Sequence, residues 1–368
     1  MFSKIAQNII EHSLELKQGE YLNIIIQGNS QNVLAREIER VSKEKGIITR
    51  YAVLDYEKFE TFTDEEFDDF IQQELTTMLL CDACVRVFDM IPVNLSDKAN
   101  NRKNYYLKVV RDDVMLKKRW LLTSVPCRES CKSESEYKEL LNTYISSCSI
   151  DYNEMSKAMD KLVERLEKAD KVRIIAKDTD LTFSIKGMPA IKCFGKNNLP
   201  DGEIFTAPVL NSVNGYITYN LPSVENGITH NNICFEFENG KIVRENSDHA
   251  EELTKVLNTD AGARYIGEFS FGVNPHVKKC FNNTLYDEKI SGSIHLTPGD
   301  AYEECDNGNR SIVHWDLVQS HDLAYGGGEI WLDNELIRKN GVFVVDYLKC
   351  LNPLNLVPSV GEKTEDFS

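Results

Sequence analysis

Between residues 4 and 16 apolar side chains recur at helical spacing, at Ile5, Ile9, Ile10 and Leu14, and the pattern stops near Gly19. It gives way to "YLNIII", a largely apolar run that predicts a strand. The cycle then repeats. "QNVLAREIERVSKEKG" predicts a helix ended by Gly46, "IITRYAVLD" a strand, "DEEFDDFIQQELTTML" a helix and "ACVRVFDMI" another strand. Helices alternating with strands in this way predict a mostly parallel sheet covered by helices. No Gly-x-Gly-x-x-Gly follows the first strand, so a dinucleotide site is not supported.

A long amphipathic helix is expected over Tyr152 to Asp170, and beyond it the pattern changes to hairpins. "ICFEFENGKIVREN" places Asn239-Gly240 between two alternating runs, the two-residue turn that favours a hairpin, and "IWLDNELIRKNGVFVV" does the same with a looser turn. A helix at "DHAEELTKVLN" interrupts. The expected architecture is an α/β N-terminal domain over residues 1–170 and an α+β C-terminal domain over 171–368, richer in antiparallel pairing.

Composition narrows the partners. The formal charge is −16 and no basic stripe with interleaved aromatics occurs, which argues against nucleic acid. No signal-peptide pattern and no apolar run of membrane-spanning length is found, so a soluble cytoplasmic protein is expected. The ten cysteines are too sparse for a disulfide framework. The pairs Cys81/Cys84 and Cys127/Cys131 lack zinc-ribbon spacing and read as reduced core thiols.

Six of the seven histidines, at 230, 249, 276, 295, 314 and 321, fall in one quarter of the chain. His230, His249, His276 and His321 lie in loop-like or helix-start contexts and read as solvated. "SIVHWDLV" differs: in a strand His314 and Asp316 would share one face while Val313, Trp315 and Leu317 share the other. Glu268 interrupts the apolar strand "YIGEFSFG", and Glu203 opens an apolar strand after Pro200-Asp201-Gly202. "LYDEKISGSIHLTPGDAY" adds Asp287, Glu288, His295 and Tyr302. Glu203, Glu268, Glu288 and Asp316, brought together without cations, would repel or be forced to protonate. Two divalent ions would neutralise them, and mixed carboxylate and imidazole donors suit Zn, Mn or Co better than Ca.

At "PDGEIFTAP", "IGEFSFG", "LYDEKISGSIHLTPGDAY" and "HWD", four motifs in order, the sequence resembles the aminopeptidase T family, the metallo-aminopeptidases that include the S and II types. The resemblance implies that Glu203, Glu268, Glu288, His295, His314 and Asp316 bind two divalent metals in the C-terminal domain, with Glu268 bridging or flanking both. It makes Tyr302 the counterpart of a tyrosine near the metals and implies a bilobal homodimer. Two departures accompany it: Pro298 stands where the family has the leucine of a Leu-Gly pair, and the N-terminal domain is shorter than usual.

The function expected is a two-metal aminopeptidase that removes N-terminal residues from peptides by attack of metal-activated water. Glu268 is the candidate general base and Tyr302 the oxyanion donor. Two other readings share these residues: a different dinuclear hydrolase such as a phosphoesterase, and a catalytically silent, metal-stabilised peptide-binding oligomer.

Overall fold

The computed structural model describes residues 2–28, 32–89, 95–115 and 117–357. Gln31 of the second predicted helix and Met90 and Ile91 of the third predicted strand lie outside them. The chain divides into two compact units, Met1–Ser149 with Gly195–Pro200, and Ile150–Phe194 with Asp201–Ser368.

The first unit carries the parallel sheet the alternation predicts. Its strands run in the order Ile48–Leu54, Tyr21–Gln27, Ala83–Asp89, Arg119–Val125, with the short Asn198–Leu199 at the edge, and every pairing is parallel. Leu22 to Ile26 are buried in succession, as helices on both faces require. Local chemistry starts the helices where the pattern places them. Asn32 accepts from the backbone N–H groups of Leu34 and Ala35, and Thr63 and Glu66 form a reciprocal capping box. The first predicted helix departs in detail: an α-turn at Phe2–Gln7 continues as a π-helical segment at Asn8–Ser13, which still buries Ile5, Ile9, Ile10 and Leu14.

The helix expected at the end of the first domain spans Tyr152–Leu166 and groups with the second unit. Asp151 caps it by accepting from Asn153 N and Glu154 N, and Met155, Met159, Leu162 and Leu166 form its buried stripe.

Besides the two-stranded antiparallel ladder of Ser223–Glu225 with Ile228–His230, the second unit contains two larger antiparallel sheets. The larger orders Lys241–Asn246, Cys234–Glu238, Asn214–Thr218, Thr179–Ser184, Lys171–Ala176, Gly328–Leu332, Glu335–Lys339 and Val342–Phe343. Its Asn239-Gly240 hairpin has both turn residues at positive φ, 49° and 87°, as a type I′ turn demands. The smaller sheet orders Leu317–Ser320, Ser293–Pro298, Ile266–Gly272, Glu203–Thr206 and Ile191–Cys193. Among the described residues no helix is long and apolar enough to cross a membrane.

Candidate metal centre

The smaller sheet builds the site by register. Residues directly paired across antiparallel strands share a face. Ser270 pairs with both His295 and Phe205, Glu268 with Thr297, and Gly272 with Glu203, so one face carries Glu203, Phe205, Glu268, Ser270, His295 and Thr297. The opposite face presents Ile204, Phe269, Phe271, Ile294 and Leu296 to the core, all fully buried. This is the period-two pattern of a strand, with polar groups on an inward face where apolar ones are usual.

Glycines make the approach possible at three points. The register shifts between Ile266 and Glu268, a bulge at Gly267 that re-aims Glu268, and a Cβ at Gly267 would lie 2.1 Å from Asp300 O. Gly272 lets the turn carrying Glu288 press against the end of the strand, since a Cβ there would lie 2.3 Å from Ile290 O. Gly299, at φ +111°, bridges to His314, and a Cβ would lie 1.9 Å from Val313 O.

All six residues expected as ligands come together. His295 Nε2 lies 2.8 Å from Glu268 Oε1 and 3.4 Å from Glu203 Oε2. His314 Nε2 lies 3.4 Å from Asp316 Oδ1 and 3.9 Å from Glu268 Oε2. Two trios drawn from these six have their donor atoms within 4.8 Å of one another, Glu203, Glu288 and His295, and Glu268, His295 and Asp316, and a third joins Glu203 to Cys193 and Asp201. The His314 segment is less regular than expected. It holds one isolated bridge, and the strand begins only at Leu317. The alternation nevertheless holds where it matters, with Trp315 buried at 3% exposure on the side away from the pair.

Electrostatics follow from this crowding. Burial pushes the Glu268 carboxyl up, against the hydrogen bond and charge of His295, and pushes Glu288 well above its usual range. Burial acts the same way on Asp316, but the charge and hydrogen bond of His314 outweigh it and hold Asp316 well below. Burial pulls both imidazoles down, yet the surrounding carboxylates prevail: His295 is raised to about 9 and His314 to about 10. His314 Nδ1 donates to Asp300 O at 2.9 Å, which points Nε2 at the carboxylates. Thr297 donates to Asp316 Oδ1 at 2.7 Å.

Tyr302 stands beside this cluster, its ring centroid 4.6 Å from His314 and 5.8 Å from Phe205. Although 41% of the residue is exposed, desolvation and then the charges of Glu268, Asp316, Glu288 and Glu203 raise its phenol well above 10. Pro298 ends its strand by accepting from Trp315 N, and Gly299 turns the chain toward the tyrosine.

The donors suit divalent ions. Glu268 Oε2 is buried and accepts no hydrogen bond, and His295 Nδ1 is likewise without one. A buried carboxylate oxygen left so is costly unless a cation meets it. Four carboxylates and two imidazoles supply the mixed oxygen and nitrogen set of a transition-metal site.

Several residues differ from expectation. His230 and His321, read as solvated, are buried: His230 packs its ring 5.2 Å from that of Trp315, and His321 Nε2 bonds Gln319 Oε1 at 2.8 Å. Cys81 and Cys84 are buried as expected, but Cys127 and Cys131 are only half-buried, flanking a 3₁₀ turn at Arg128–Ser130. Asp287 turns away to accept from Phe281 N and Asn283 N. Lys289 and Asp201 were not anticipated. The Lys289 ammonium, fully buried, lies 2.6 Å from Glu203 Oε1, 2.7 Å from Glu288 Oε1 and 3.4 Å from Asp201 Oδ1. A lysine inside "DEKISG", between the candidate ligands Glu288 and His295, was the signal available.

The antiparallel sheet and its donor set thus define a candidate metal centre. The chain belongs to the M29 family of thermophilic metalloproteases, whose model matches residues 2–343. It is similar to aminopeptidase T of Thermus thermophilus, 33% identical over 148 residues, covering 35% of this chain and 36% of that protein. It is also similar to aminopeptidase PepS of Streptococcus thermophilus, 29% identical over 230 residues, 51% of this chain and 54% of that one. The matched stretches therefore span about a third to a half of these relatives. In fold it matches wild-type AmpT from Thermus thermophilus with a TM-score of 0.76 at 18% identity, covering 94% of this chain and 99% of that one.

Proposed function

We propose that this chain is a metal-dependent aminopeptidase whose centre holds two divalent ions on Glu203, Glu268, Glu288, His295, His314 and Asp316. The observation that carries the reading is the convergence of these six donors with the buried, unbonded Oε2 of Glu268 among them. Zn, Mn or Co fits the donor set. When bound, such ions polarise a carbonyl and bring the pKa of water toward neutrality.

The chain's own residues do the rest. Glu268 is the group positioned to take a proton from attacking water and return it to the leaving amine, its acidity already weakened by burial. Tyr302, kept protonated at neutral pH, donates a hydrogen bond to the oxygen of the tetrahedral intermediate. Asp300 holds the His314 tautomer through its carbonyl, and Thr297 orients Asp316. The substrates are peptides with a free N-terminus, a class that the relatives' name of aminopeptidase supports.

The test is release of free amino acids from a mixed peptide pool by protein stripped with a chelator and reloaded with Zn, Mn or Co. Activity lost on stripping and regained on loading supports the reading. A protein that binds the ions yet releases nothing would contradict it.

A further inference from the structure

Lys289 is the one fully buried lysine among the described residues, and none of the roles above uses it. Its backbone is fixed from both sides, its N–H donating to Tyr286 O at 3.0 Å and its carbonyl accepting from Asn274 N at 3.1 Å. The side chain is thereby aimed at one edge of the donor cluster. It takes Oε1 of Glu203 and Oε1 of Glu288, while Glu203 Oε2 faces His295 Nε2 at 3.4 Å. The ammonium and an ion can therefore share Glu203 without competing for the same oxygen.

Charge counting gives this arrangement a purpose. Five carboxylates gather here, Asp201, Glu203, Glu268, Glu288 and Asp316, all under a tenth exposed or with side chains nearly so. Two divalent ions supply four positive charges, and five carboxylates need five. We propose that Lys289 is a permanent cation of the centre: it clamps Glu203 and Glu288 together when the ions are absent and completes the neutralisation when they are bound. Lys289 touches the ligands and not the substrate, so it is a positioning residue. The proposal rests on the metal-centre reading above.

A lysine that only fills the core would matter equally with and without metal. A clamp matters most when the site is stripped, because bound ions then take over the restraint of both carboxylates. The experiment is thermal unfolding of the full chain and of Lys289→Met, each after chelation and again with saturating Mn or Zn. We expect chelated K289M to melt at least about 5 °C below chelated wild type, since removing one partner of a buried ion cluster leaves the others uncompensated. Loading should narrow that gap to less than about half, the remainder reflecting the one carboxylate charge that the ions leave unbalanced. A gap of equal size in both states, or none in the chelated state, would overturn the proposal.

Should K289M fail to fold when chelated but fold with metal, the clamp is supported in its strongest form. Should it fail in both states, the variant K289M/E288Q, which loses charge on both sides, decides: folding of the double variant supports the clamp, and its failure overturns it. Wild type separates this proposal from the reading beneath it. If its own melting temperature does not rise on loading, the metal centre itself fails and the clamp with it. If wild type rises while the K289M gap stays constant, only the role of Lys289 is lost.

Discussion

Glu268 gives one carboxylate oxygen to His295, at 2.8 Å, and keeps the other buried without a hydrogen bond. The two oxygens thus have separate tasks, one bound to an imidazole and one free for an ion or for a proton. Glu268→Gln retains the shape and removes both the charge and the basicity. Hydrolysis of amino-acid p-nitroanilides should fall by at least about 10²-fold. Turnover at the wild-type rate would remove Glu268 from the mechanism.

Tyr302→Phe removes only the hydroxyl. A drop in kcat of about 10² to 10³ is expected, the usual loss for one oxyanion donor, with the metal content of the purified protein unchanged. An unaltered kcat would assign the tyrosine to packing against His314 and Phe205.

Metal binding should release protons. His295 and His314, raised to about 9 and about 10, carry protons at pH 7.5 in the stripped protein, whereas an imidazole ligand must be neutral. Raising the pH toward and beyond 9 weakens that competition, so affinity rises with pH. Calorimetry of Zn or Mn binding at pH 7.5, in buffers of different ionisation enthalpy, should show about two protons released, one from each imidazole. Binding without proton release would mean that these histidines are not ligands.

Stability at mild acid should depend on His321. Burial first, and then the charge of Arg338, keeps its imidazole well below the usual range, so the folded protein holds it neutral. The unfolded chain protonates it near pH 6.5, and stability from this residue, complete above that pH, is lost as the pH falls below it. Chemical denaturation of chelated wild type and His321→Gln between pH 7 and 5 should show a shallower loss in the variant, by up to about 1.4 kcal/mol per pH unit. Parallel curves would place the acid sensitivity elsewhere.

Hydrophobic periodicity made the first unit legible because its strands are covered on both faces and its helices carry their own caps, as at Asn32 and Thr63. The candidate donors stood out for a different reason: Glu203, Glu268, His314 and Asp316 are polar residues in otherwise apolar runs, while Glu288 and His295 joined them through the motif that carries both. Lys289 did not, because two of its three carboxylate partners, Asp201 and Glu203, lie far along the chain, and no local rule signals a long-range ion cluster. His230 and His321 were misread for a related reason. Loop-like neighbours describe the backbone, while burial depends on Trp315, Gln319 and Gly328, which reach them only in the folded sheet. The groups that press on Gly267, Gly272 and Gly299, at Asp300, Ile290 and Val313, come from distant positions and meet them only in the folded chain.

The central claim is that two ions sit on these six side chains. Anomalous diffraction from crystals of the Zn- or Mn-loaded protein tests it most directly. The account predicts two peaks in the second unit, each about 2.0 to 2.3 Å from donor atoms of Glu203, Glu268, Glu288, His295, His314 or Asp316. A loaded crystal with peaks only elsewhere on the chain, or none at all, would contradict it.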